Sequence, residues 1–134
     1  MSRDIVMTIK PRHIRNMRLG IKKYELRKSR PSGARDVRVW ICESGTGGRI
    51  VASFMCPAVP EMTGTADTKI AELCAITAAE VKGYLKVSNT RLFGWLITDF
   101  EDFKGTEREL HIVDFGLNRP PQSWCYAKEV PGDV

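Results

Sequence analysis

"GIKKYELRKSRP", residues 20–31, places five cations around one carboxylate and one aromatic ring, with a glycine at its start and a proline at its end. The stretch alternates at period two. Lys23, Glu25 and Arg27 fall on one side of an extended strand, and Tyr24, Leu26 and Lys28 on the other. Tyr24 and Leu26 are therefore expected to turn toward the core. Glu25 and Arg27 then lie about 6.6 Å apart along the strand, within reach of each other's side chains. An exposed pair of this kind contributes only ~0 to 1 kcal/mol, a weak reason to gather so much charge. Lys22, just ahead, changes the situation. In a partly desolvated cleft Arg27 disfavours its ammonium while Glu25 favours it, which suits a tuned base as well as a binding pair.

On the N-terminal side, "DIVMTIK" (4–10) reads as a first strand that stops at Lys10, because the residue before a proline is steered away from helix. Pro11 suits the first turn of a helix, "PRHIRNMRLG" (11–20), with Gly20 as its stop. His13, Ile14 and Met17 share one side of that helix, while Arg12, Arg15 and Arg18 form an arginine edge on another. His13 is expected to be a packed ring rather than a catalyst.

On the C-terminal side, "SRPSGARD" (29–36) is a turn-rich link to the alternating strand "VRVWIC" (37–42), and "IVASFMC" (50–56) completes a hairpin across "ESGTGGR". The glycines of that turn lack the Lys-Ser/Thr of a phosphate-binding loop. From Asp67 the period becomes helical. Thr77 and Glu80 then fit a capping box, with Ile76 and Val81 spaced as its hydrophobic staple. "RLFGWLITDFEDF" (91–103) and "ELHIVDF" (109–115) read as later strands, and "RPPQSWCYA" (119–127) leads into a last one. Strands, then inserted helices, then strands again predict a single α+β domain over residues 1–134 whose mixed sheet curls into a small barrel.

Composition bounds what such a domain does. Residues 1–38 hold twelve Lys/Arg against Asp4, Glu25 and Asp36, a balance of +9, and the remaining residues hold nine against thirteen, a balance of −4. A local positive surface attracts polyanions and points to nucleic acid. The charged N-terminal residues lack the apolar core of a signal peptide, and no apolar run is long enough to span a bilayer, so a cytoplasmic protein with no membrane partner is expected. Cys42, Cys56, Cys74 and Cys125 lie singly in apolar settings and read as reduced, buried thiols. No cofactor or metal is expected, since His13 and His111 are the two histidines and no ligand spacing links them to the cysteines. His111 and Asp114 have no nucleophile at a recognisable turn, and "DFG" at 114–116 lacks every other kinase part.

Three motifs in order carry a likeness to a known family: "IKP" at 9–11, the string Gly20, Lys22, Tyr24, Glu25 and Arg27, and "RPPQSWCY" at 119–126. Together they resemble the ASCH domains, relatives of the PUA RNA-binding fold, across nearly the whole chain. The resemblance implies a PUA-like pseudobarrel of about five or six strands, with a short N-terminal helix and a helical insertion. The Lys-Glu-Arg motif would project into a cleft beside the first helix. It also implies RNA or nucleotide binding, with single-stranded RNA as the ligand. Lys10, Arg12, Arg15, Lys22 and Lys28 are the candidate phosphate contacts, Arg27 a planar fork, Tyr24 and Trp124 stacking faces, and Gln122 and Ser123 readers of a base edge. Some ASCH members look like hydrolases, either single-strand ribonucleases or amidohydrolases acting on N4-acetylcytidine. In that alternative Lys22 is the base or electrostatic stabiliser and Glu25 the proton carrier. The amidohydrolase pattern has a threonine where this chain has Glu25, and its glutamate would fall near Glu72 or Glu80.

Overall fold

The computed structural model describes residues 3–33 and 36–132. Ala34 and Arg35 of the 29–36 link, and the outermost residues of both termini, lie outside the described residues. Strand β1 (Ile5–Ile9) leads through Lys10, extended as a residue before proline must be, into helix α1 (Pro11–Arg18). Strand β2 (Tyr24–Arg27) follows, then the hairpin β3 (Val37–Glu43) and β4 (Arg49–Cys56). The helical insertion comprises α2 (Asp67–Cys74) and α3 (Ala78–Tyr84), whose start carries the complete Thr77–Glu80 capping box. After it come β5 (Phe93–Leu96), β6 (Thr98–Asp102), β7 (Leu110–His111) and β8 (Trp124–Tyr126).

The large sheet runs β6-β4-β3-β1-β8, with β7 also on β4, and β1 lies parallel to β3 with Ile5 opposite Val39. A separate two-stranded sheet pairs β2 with β5, Glu25 opposite Trp95 and Arg27 opposite Phe93. The expected closed barrel is not formed by backbone pairing among the described residues. Both edges of β1 are already taken, by β3 and by β8, so β2 has no backbone partner there and ladders only with β5. The eight strands exceed the five or six that the resemblance implies: of the seven segments read as strands one divides in two, and a second is shortened. Residues 91–103 split at Ile97, which leaves β5 in the small sheet and β6 in the large one. In the second, only Leu110–His111 is extended, and Ile112–Phe115 forms a 3-10 turn. Val113 N–H donates to His111 Nδ1 and His111 N–H to Asp114 Oδ2, a local pair of bonds that favours the turn over a strand. Gly116 closes it at φ 76°.

Three apolar clusters result. One lies between the sheet face bearing Ile5, Met7, Val39, Ile41 and Phe54, the α1 residues Ile14 and Met17, and Trp95 of β5. The opposite face buries Val6, Trp40 and Ile50 under Phe103, Ile112 and Phe115. The third places Leu26 of β2 beneath Ile70 and Cys74 of α2 and Val81 of α3, with Tyr24, Ile76 and Tyr84 at its margin. Leu26 and Tyr24 thus turn toward the helical insertion, as their alternation predicts. Gly94 lets this layer close up, since a Cβ there would collide with Met62 and sit 3.1 Å from the Tyr24 ring. Cys42, Cys56 and Cys74 are buried free thiols and Cys125 is half-buried, and burial pushes Cys56 and Cys74 up to about 11. No helix among the described residues is long and apolar enough to cross a membrane.

Candidate functional site

The alternation that sends Leu26 beneath the helices sends Glu25 and Arg27 the other way, into the gap between β2 and β1. Here the packing departs from that of an ordinary surface strand: Glu25 is 4% exposed and Lys22 3%. Lys22 Nζ lies 3.2 Å from Glu25 Oε1 and donates to the Cys74 carbonyl at the end of α2. Arg27 meets the other carboxylate oxygen with Nε at 3.0 Å and Nη2 at 2.6 Å. Its Nη2 also donates to the Thr8 carbonyl of β1 at 2.8 Å, and its Nη1 to Ser123 Oγ, just before β8, at 3.1 Å. The guanidinium therefore bridges the open seam between the two sheets.

Burial alone would push the Glu25 carboxyl up, but the charges of Lys22 and Arg27 and the Arg27 hydrogen bond outweigh it and hold the group below its ordinary 4.5. Glu25 is thus an anion between two cations, with every partner supplied by its own segment or the seam. Four of Arg27's five N–H donors are spent on Glu25, Thr8 and Ser123, which leaves one on Nη1. The planar fork expected to recognise a phosphate or a base edge is turned on Glu25 instead.

Above this floor opens a cleft of about 430 Å³. Four cations, Lys10, Arg12, Arg27 and Lys28, line it together with the Glu25 carboxylate. Thr8, Ser29, Ser44, Gln122 and Ser123 add uncharged polar groups, and the rings of His13 and Tyr84 form its walls. Burial, followed by the charge of Lys22, lowers the pKa of His13 from its usual 6.5, and its Nδ1 is enclosed without a hydrogen-bond partner. Tyr84 stands with Lys28 Nζ 5.7 Å from its ring centroid. Arg12 is held at the rim by Glu80, 2.6 Å away. That hydrogen bond, reinforced by the Thr77 backbone, brings Glu80 down to about 2.

Lys10, Arg12, Arg27, Lys28, Gln122 and Ser123 are accordingly brought together around one hollow, with Glu25 in its floor. Lys22 lies beneath the floor and is not part of the lining. Arg15 is exposed on α1 away from the cleft, while Arg12 and Arg18 of the same edge clamp the helix to α3 and β6 through Glu80 and Asp102. Tyr24 packs in the cluster under the helices. Trp124 stands edge-on to Trp95 and Tyr126, and its Nε1 donates to Ser29 Oγ at 3.0 Å. Neither ring lines the cleft. Glu72 is exposed on α2, also outside it. The lining residues that sequence reasoning missed are Thr8, Ser29, Ser44 and Tyr84. Thr8 carries a signal, being the one polar residue of β1, but Tyr84 is brought in by the α2–α3 packing and carries none.

Two sheets joined at a side-chain seam, with an N-terminal helix beside an ion-paired cleft, define an α+β domain. The ASCH protein of Zymomonas mobilis has the same fold, with a TM-score of 0.73 at 16% identity over 95% of this chain and 89% of that one. Crystal structures of a tyrosine-to-phenylalanine and a serine-to-alanine variant of that protein match equally, at 16% and 14% identity and 0.73 each. No protein-family model and no curated protein matches the chain. The fold is that of an ASCH domain, in agreement with the resemblance carried by residues 9–27 and 119–126.

Proposed function

We propose that the protein is an ASCH-family RNA-binding domain whose basic cleft receives one unpaired nucleotide of single-stranded RNA. The observation that carries this reading is the composition of the hollow: four cations against a carboxylate that is already neutralised from below, around a space within the ~300–1,000 Å³ range of small-molecule sites. Lys10, Arg12 and Lys28 at the rim serve the phosphate, and Gln122, Ser123 and the remaining Arg27 N–H serve a base edge. Tyr84 provides the stacking face, an interaction that contributes about 1–3 kcal/mol per base. Fluorescence anisotropy with a labelled single-stranded RNA tests the reading. Affinity falls steeply with salt, and Lys10→Gln with Lys28→Gln weakens binding about tenfold and lowers the salt slope by about 1.4, or ~0.7 per phosphate contact. A flat salt response, or an unchanged double variant, overturns it.

A hydrolase using the same cleft is the second reading, favoured by a carboxylate set in the floor against a buried amine. Its test is direct. Wild-type protein incubated with single-stranded RNA or N4-acetylcytidine must release product, and Lys22→Ala must abolish that release while the fold survives. Absence of product from both substrates rejects it.

A further inference from the structure

Beside the cleft lies a second and larger hollow of about 860 Å³, whose wall is shared with the first through Lys28 and Ser29. It runs between the chain leaving β2 and the chain approaching β5, and among the described residues its lining holds Lys28, Arg30 and Arg91 and no carboxylate. Another hollow, lined in part by Phe103, differs: Glu43 and Glu109 lie among its cations, which leaves it a mixed field.

The two arginines of the second hollow are set in fixed poses. Arg30 donates from Nη1 to the Val59 carbonyl at 2.8 Å, and its guanidinium sits 4.6 Å from the Phe93 ring centroid. Arg91 lies 5.1 Å from the same ring and is braced by Glu61 at 2.6 Å. Phe93 is itself buried, so it supports the guanidinium planes from below rather than offering its own face. Arg30 is exposed, and a guanidinium within reach of solvent suits stacking on a base. Lys28 and Arg30 lie two residues apart just past the end of β2, so consecutive groups of one strand can be met in order.

We infer that the second hollow is a track for the RNA strand beyond the cleft, so that the ligand is an oligonucleotide rather than a free nucleotide. This rests on the reading of the cleft as a nucleotide site. Lys28 takes the phosphate between the two hollows, and Arg30 and Arg91 take the next phosphates, with Arg30 stacking on a base.

The test compares uridine 5′-monophosphate with uridylate oligomers of two, four and eight nucleotides on the whole protein, by anisotropy or competition at several salt concentrations. Affinity and salt slope rise with length from the mononucleotide to the octamer. Combining Arg30→Gln with Arg91→Gln weakens the octamer about tenfold or more and lowers its salt slope by about 1.4, while mononucleotide binding is unchanged. Combining Arg30→Lys with Arg91→Lys, which keeps the charge, restores most of the slope. Equal affinity for mononucleotide and octamer in the wild type overturns the track and leaves the cleft reading standing, and so does an octamer affinity indifferent to both arginines. Failure of every uridylate to bind overturns both. A polyglutamate peptide that competes as well as the octamer also overturns the track, since charge alone would then be read.

Discussion

The same pairing of arginine with glutamate occurs at two depths in this molecule. At the rim, Glu80 meets Arg12 in contact with water; in the floor, Glu25 meets Arg27 and Lys22 out of its reach. Both carboxyls lie below their ordinary range, but the two shifts have different consequences. Water and salt screen the rim pair, so its low value translates into little stability. In the floor, burial opposes the charge, and three side chains must stay together for any of them to remain ionised without loss. The rim is adjustable and the floor is structural, which suits a cleft that exchanges its ligand on a fixed base.

Removing the buried anion gives the largest expected effect. Glu25→Gln leaves two cations uncompensated and destabilises by about 3–5 kcal/mol in urea unfolding. A loss below ~1 kcal/mol would place the floor on a par with the rim and dissolve the contrast. Lys22→Met should cost less, about 1–3 kcal/mol, because Glu25 keeps Arg27 while the Cys74 carbonyl loses its donor. If Lys22→Met proves the costlier of the two, the amine and not the carboxylate is the keystone.

Acid separates the groups further. His13 has a folded-state pKa below its usual 6.5, so the unfolded chain takes up a proton that the folded ring resists, and stability declines as pH falls below 6.5 by at most ~1.4 kcal/mol per pH unit. Lys22 and Arg12 add to burial in resisting that proton, while Glu25 and Glu80 oppose them. Glu25, also depressed, contributes stability that is present above 4.5 and lost as pH drops below it. His13→Gln should flatten the first decline and leave the second. A wild-type protein equally stable at pH 7 and pH 5 would contradict the packed, neutral ring.

The smallest effect belongs to the rim. Glu80→Gln retains the capping geometry, because glutamine serves that position too, and removes only the charge. It should cost ~0.2–1 kcal/mol at low salt and nothing measurable in high salt. A larger, salt-insensitive loss would show that Arg12 is anchored as firmly as Arg27.

The order of elements was legible because local chemistry spelled it out: Pro11 opens α1, the Thr77–Glu80 box opens α3, and period-two alternation marks β2 and β3. What local patterns do not carry is partnership. Nothing in residues 91–103 announces that Ile97 divides two sheets, and nothing in "ELHIVDF" outweighs its apolar alternation except a histidine and an aspartate that bond their own backbone. The site was half legible for the same reason. The pairing of Glu25 with Arg27 followed from spacing, and the joining of Lys22 to them was implied by the family resemblance. Their roles depended on depth, and depth is set by α2, whose last turn supplies the carbonyl that holds Lys22 below the cleft. Tyr24 and Trp124 were aromatic candidates by composition, but Tyr24 packs in the cluster under the helices and Trp124 stands edge-on to Trp95, and the aromatic ring that lines the cleft beside His13 is Tyr84.

The seam between β1 and β2 has a mechanical meaning. Side chains alone span it: Arg27 of β2 ties to the Thr8 carbonyl and Ser123, and Trp95 of β5 packs into the core of the large sheet. If the cleft binds RNA as proposed, a guest that grips Ser123 on one bank and Lys28 on the other would staple the halves together. Occupancy would then register as rigidity along β2 and β8, in slower amide exchange there, while the distant β3–β4 hairpin keeps its own pace.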